Sequence, residues 1–157
     1  DGLISFDSDV TLAMNQSLRL YAGAFALGAG AGPDSRVALA APYLRLAGAT
    51  RLLLDVTDTL PAAKWADGYG APTQQASNAI FSVAADVVDI RDRVGFGLRQ
   101  DIDIKAEAYT IDRRGFALVD LFSRGDIRLL GAIKASIDTA LWTPGNVTLT
   151  AAQIYPA

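Results

Sequence analysis

The chain has 157 residues, 51% of them hydrophobic and 20% charged, with 14 basic against 17 acidic side chains and a net charge of −3. That is enough apolar chain for one domain with a real core, the scattered basic residues leave no footprint for a nucleic-acid backbone, and no run of about 18 apolar residues provides a membrane-spanning helix. Cysteine and histidine are both absent, which excludes disulfides, thiolate and imidazole metal sites, and Ser-His-Asp or Cys-His catalysis within the segment.

One short pattern returns along the chain: an aliphatic residue, any residue, a second aliphatic residue, small residues, then a further apolar alternation. Val10-Thr11-Leu12-Ala13 is followed by Leu18-Arg19-Leu20, and Val37-Ala38-Leu39-Ala40-Ala41 by Leu44-Arg45-Leu46. Between them Ala22 to Ala31 is apolar but too short and too rich in glycine to span a membrane. Gly28-Ala29-Gly30-Ala31-Gly32-Pro33-Asp34 is a break. It is no phosphate loop, because it lacks the Gly-Lys-Ser/Thr ending and no amphipathic helix follows.

Residues 55–79 depart from the pattern. They are polar and broken by Gly and Pro, and they read as a loop inserted between two repeats. Insertions of this kind gather on one face and often carry binding. Trp65 and Tyr69 in this loop form either an aromatic platform for a sugar or protein partner or a cover over the loop's own base.

Further copies are expected at Val87-Val88-Asp89-Ile90, Ile102-Asp103-Ile104-Lys105-Ala106, Ile127-Arg128-Leu129 and Val147-Thr148-Leu149-Thr150-Ala151-Ala152. Alternation with period two places one set of side chains on a core face, and the β-branched residues suit a pleated, half-buried surface. Val94-Gly95-Phe96-Gly97 is a weak turn or bulge signal. Thr143-Pro144-Gly145-Asn146 reads as a type II turn. Phe81, Phe96, Phe116 and Phe122 are expected in the core or at corners, Trp142 at a corner, and Ala40, Ala41, Ala151 and Ala152 at tight bends.

The intervals from Val10 to Val37, from Ile102 to Ile127 and from Ile127 to Val147 are similar in length. Each suits a stacked unit of two or three short strands with turns. Hairpin sandwiches turn more often, and crossovers between parallel strands are right-handed by strong default. The expected fold is therefore all-β: a right-handed parallel β-helix, or solenoid, forming one segment over residues 1–157 with one inserted loop. The chain opens on Asp1-Gly2-Leu3 and reads as a piece of a longer protein, with any export signal outside it.

The stretches Gly145-Asn146-Val147-Thr148-Leu149-Thr150-Ala151-Ala152-Gln153-Ile154-Tyr155-Pro156, Ala117-Leu118-Val119-Asp120-Leu121-Phe122-Ser123 and Asp126-Ile127-Arg128-Leu129 resemble the repeats of large filamentous-haemagglutinin-like exoproteins of Gram-negative bacteria. The resemblance implies a secreted, cell-surface β-helical rod of the two-partner secretion type, exported by an outer-membrane β-barrel partner. It implies work in adhesion, biofilm formation or virulence, with a host or bacterial receptor or glycan as partner; no cofactor and no nucleic-acid partner is expected.

Two other readings use the same scaffold. The acidic residues Asp86, Asp89 and Asp92, with Arg91 and Arg93, could serve a polysaccharide lyase through a carboxylate-bound Ca²⁺, or a carboxylate pair could serve a hydrolase. Asp101, Asp103 and Glu107 form a second acidic group. The blander expectation is that these are solvated outward positions, with Arg and Asp pairing across neighbouring coils. The third reading is an inert stalk of a contact-dependent toxin. Open sheet edges at both ends of an excised segment would favour end-to-end self-association.

Overall fold

The computed structural model describes residues 3–48, 78–104, 107–131 and 140–155. Over these residues the protein is all-β, with parallel sheets and no helix. The first sheet holds β1 (Leu3–Phe6), β4 (Ala24–Leu27), β7 (Arg93–Phe96) and β12 (Ala140–Trp142), in that order and all parallel.

The second sheet is built on two long central strands, β5 (Arg36–Ala47) and β6 (Ile80–Arg91), which run side by side. β2 (Val10–Ala13) and β3 (Ser17–Tyr21) pair end to end along β5. β10 (Leu118–Ser123) and β11 (Asp126–Leu130) do the same along β6. β13 (Asn146–Thr150) and β14 (Gln153–Tyr155) lie beyond them. All of these pairings are parallel. β8 (Leu98–Ile104) and β9 (Glu107–Arg113) form a separate antiparallel hairpin.

The chain thus passes between the two sheets, and each described pass through the second sheet lies in register beside the one before it. The pairing aligns Val10, Val37, Phe81, Val119 and Val147 in one row. Leu12, Leu39, Val83, Leu121 and Leu149 form the next row. Leu18, Leu44, Val88, Ile127 and Ile154 align similarly beside Leu20, Leu46, Ile90 and Leu129. Members in the middle of each row are sealed from water, whereas Val147 and Ile154 on the outermost strands are 39% and 45% exposed. A period-two apolar alternation repeated at the same phase produces such rows, because every inward side chain meets its counterpart about 4.8 Å away on the next strand.

The expected alignments of Val10 with Val37 and of Leu18 with Leu44 are the observed ones. Two others differ. Ile127 aligns with Val88 and Ile154, not with Val147, which aligns with Val119. The interval from Ile127 to Val147 therefore joined two different rows. The true repeat at this end runs from Val119 to Val147 and from Ile127 to Ile154, and it nearly equals the interval from Val10 to Val37. Ile102 and Ile104 belong to the antiparallel hairpin, opposite Tyr109 and Glu107. Period-two alternation reports a strand but not its partner, so this copy was indistinguishable from the others.

Longer intervals mark insertions. Val37 and Phe81 are neighbours in one row although residues 49–77 lie between them in sequence. Phe81 and Val119 are neighbours although the hairpin lies between them. The loop expected over 55–79, with Trp65 and Tyr69, falls outside the described residues up to residue 77. Ala79 at its end is fully buried, and its carbonyl accepts the Ala117 N–H.

Between the two sheets Phe6, Phe25, Phe81, Phe96 and Phe116 form one aromatic cluster within the aliphatic core. Phe122, expected with them, is 42% exposed. Leu121 takes the inward position, and alternation sends the next side chain out.

Val94 and Phe96 are buried strand residues rather than turn residues, and Gly97 at φ 119° turns the chain into the hairpin. At Thr143–Asn146 a bend does occur, but Gly145 lacks the positive φ of a type II turn. Glycine is needed there for space: a Cβ would run into the carbonyl oxygens of Phe116 and Ala117 on the preceding pass. Gly145→Ala is expected to cost about 1–3 kcal/mol through this forced separation, seen as a lower urea midpoint with an unchanged slope.

Candidate functional site

The outward face of the second sheet carries an aligned row of Arg19, Arg45, Asp89, Arg128 and Tyr155. Asp89 sits at its centre and is fully buried although it points away from the core. Its cover is made by its neighbours on adjacent strands. Arg128 Nε donates to Asp89 Oδ1 at 2.6 Å, while the Tyr43 hydroxyl at 2.5 Å and Arg45 at 3.3 Å donate to Oδ2. The Arg19 and Arg45 guanidinium groups each lie 5.6 Å from the centre of the Tyr43 ring, within cation–π range.

Burial alone would raise the Asp89 pKa. The hydrogen bonds from Arg128, Tyr43 and Arg45 outweigh it and hold the carboxyl below its ordinary value. Burial and the hydrogen bond to Asp89 push the Tyr43 hydroxyl up.

Pairing of Asp and Arg across neighbouring strands is as expected, and Asp86 makes a second such pair with Arg124 at 2.5 Å on the surface. Solvation is not: Asp89 and Asp92 are both buried. Both Asp89 oxygens are committed to donors, so the group offers no free ligand to a cation. Among the described residues no group of three or more metal-ligating side chains could hold a metal ion. Asp101, Asp103 and Glu107 lie on the hairpin, opposite Thr110, Ala108 and Ile104.

Asp92 follows β6 at the corner leading to β7, and its environment is different. Its backbone is left-handed at φ 60°, its Oδ1 has no hydrogen-bond partner among the described residues, and its Oδ2 is 3.9 Å from Arg91 Nε. Burial raises its pKa despite the charge of Arg91. Asp92, Arg91, Arg45 and Tyr21 line a cleft of about 450 Å³.

On the other side of the molecule Asp7, Asp9 and Asp34 line a more open cleft of about 550 Å³, where each carboxylate holds a turn. Asp7 accepts from the Gly30 N–H, Asp9 from the Arg36 N–H and Asp34 from the Asn78 side chain.

Arg–Asp pairing was expected here, but sequence reasoning missed the burial of Asp89 within a Tyr43–Arg45–Asp89–Arg128 assembly. Its signal was present: Leu44-Arg45-Leu46, Val88-Asp89-Ile90 and Ile127-Arg128-Leu129 carry their polar residue at the same phase, which stacks the three polar residues once the strands align. No protein-family model, no curated protein and no solved structure matches the chain.

Proposed function

We propose that the chain is a right-handed parallel β-helical segment of a large secreted bacterial surface exoprotein of the filamentous-haemagglutinin-like kind, a non-catalytic rod that holds adhesive surfaces away from the cell. The observation that carries this reading is the set of registered aliphatic rows, built by a chain that returns to the same sheet position at a nearly constant interval where nothing is inserted. Such a body grows in one direction only, by adding passes at about 4.8 Å each. That makes it a spacer. Its sides and insertions are then the places where a host or bacterial receptor or glycan is met, and an outer-membrane β-barrel transporter is the export partner of the whole protein. The commitment of both Asp89 oxygens to basic and phenolic donors favours this reading over a Ca²⁺-dependent lyase.

The test is binding of the purified chain, immobilised on inert beads, to host epithelial cells and to bacterial cells, beside a chain lacking residues 64–73. Retention by the full chain supports adhesion, and loss on deletion assigns it to the inserted region. Turnover of an acidic polysaccharide that needs Ca²⁺ and disappears in Asp89→Ala would overturn the non-catalytic reading. The exposed Val147 and Ile154, with the partly exposed Val10 and Leu18 at the other edge, leave apolar strand edges open. The isolated chain is expected to associate end to end, giving a sedimentation coefficient that rises with concentration. A strict monomer at high concentration would speak against that stacking.

A further inference from the structure

The corner between the second sheet and the first is crossed repeatedly at equivalent positions. Backbone hydrogen bonds from Ala22 N to Ala47 O, Gly48 N to Arg91 O and Asp92 N to Leu130 O align Ala22, Gly48, Asp92 and Gly131 in one column. Three of these residues carry no side chain beyond a methyl group. The fourth places a carboxylate there, 2% exposed, in a left-handed backbone, with one oxygen lacking a partner among the described residues. Glycine would satisfy the same backbone without stranding an acceptor. Asp92 therefore works against stability at this corner, and such outliers point to function.

A second orphan belongs to a residue lining the same cleft. Arg45 Nε is also buried without a partner among the described residues, although its Nη2 donates to Asp89 Oδ2 and its guanidinium hydrogen-bonds Tyr21. Donor and acceptor belong to residues lining one cleft, whose rim carries the 64%-exposed Tyr21. A ligand that satisfies both must donate and accept within one cleft. An anion would answer the arginine but face the Asp92 carboxyl, and a cation would answer Asp92 but face Arg45 and Arg91. A hydroxyl group does both without charge, and vicinal hydroxyls with an apolar C–H face to lie on a tyrosine ring are what a sugar offers.

We propose that the Tyr21–Arg45–Arg91–Asp92 cleft is a subsite for one neutral pyranose unit of a glycan. Hydroxyls of the one sugar donate to Asp92 Oδ1 and accept from Arg45 Nε, and the ring rests on Tyr21. Both polar atoms are covered in the free chain, and the exposed Tyr21 is the part that must move to admit the sugar. This deepens the adhesive reading by naming a partner class, but the cleft stands or falls separately from the rod.

The experiment titrates methyl mannoside, galactoside and glucoside into the isotopically labelled chain and follows amide shifts by NMR, with glucuronate and inorganic sulfate as charged probes. One sugar on an open cleft binds in the millimolar range. At least one neutral pyranoside is expected to shift the Tyr21, Gly48 and Asp92 amides. Asp92→Gly and Tyr21→Ala are each expected to weaken it by about fivefold or more, as loss of one good contact does. Asp92→Gly is compatible with the left-handed backbone and Tyr21 is exposed, so both variants keep the wild-type dispersion of core signals. Failure of all three sugars to bind, unchanged affinity in both variants, or preference for the charged probes overturns the subsite. Intact core signals in those same samples leave the rod unaffected.

Discussion

Phe81→Ala is expected to cost about 3–5 kcal/mol, the range for emptying a buried aromatic site. Phe81 stands in the row otherwise filled by valine and points into the space between the two sheets. Its ring lies 5.0 Å from Phe96, 5.3 Å from Phe116, 5.8 Å from Phe25 and 6.1 Å from Phe6, all within the distance at which aromatic pairs attract. Phe6, Phe25 and Phe96 lie on the first sheet, so this one side chain joins the sheets as well as filling space. A rigid sheet pair cannot collapse onto the void, which places the cost at the upper part of that range. A domain holds about 5–15 kcal/mol in total, so the urea midpoint falls by roughly a quarter or more. Phe81→Leu, which keeps most of the volume, is expected to cost less than half as much. A midpoint for Phe81→Ala close to wild type would mean that the sheets are not held together through this ring.

What could be read from the chain followed directly from its phase. Val10 with Val37 and Leu18 with Leu44 were legible because nearly equal intervals separate identical patterns with nothing inserted between them. Later passes were obscured by the chain between 49 and 77 and by the hairpin, which lengthen the return to the same row. An insertion leaves the strand pattern intact and destroys its interval, so Val88 and Ile127 were recognised as strand residues but not as neighbours. The hairpin is the sharper case. Ile102-Asp103-Ile104 carries the same alternation as Ile127-Arg128-Leu129. Yet the first pairs antiparallel with the chain that follows it at once, and the second pairs parallel with β6, on the far side of the hairpin in sequence. Alternation fixes which side chains share a face; partner and direction depend on what lies at the strand's ends. The same limit hid the burial of Asp89. A charged residue at an outward position is ordinarily solvated, and only the alignment with Arg45 and Arg128 shows that its neighbours cover it. Asp92 had no signal of its own, because its left-handed backbone depends on the corner and not on its flanking residues.

Arg128→Ala is expected to remove about 2–3 kcal/mol at neutral pH, because withdrawing a partner from a buried ion pair leaves the other charge without its strongest donor. Tyr43 and Arg45 soften the loss by still holding Asp89 Oδ2. The pH dependence separates Asp89 from its neighbour Asp92, since the fold moves the two pKa values in opposite directions from the ordinary 3.8. Asp89 is held low, so its contribution is complete above the ordinary value and disappears as the pH falls through the folded one. Asp92 is held high, so the fold binds its proton more tightly than the unfolded chain does. Ionised Asp92 therefore destabilises the protein at neutral pH, and stability returns as the pH falls through its raised value toward the ordinary one. Asparagine tolerates a left-handed backbone and carries no charge. Measured by urea unfolding at a series of pH values, Asp92→Asn is expected to match or exceed wild type at neutral pH and to lose that advantage on acidification. Asp89→Asn starts well below wild type, and the gap narrows only at the acid end. Parallel profiles for wild type and both variants would show that neither carboxyl has the environment described for it.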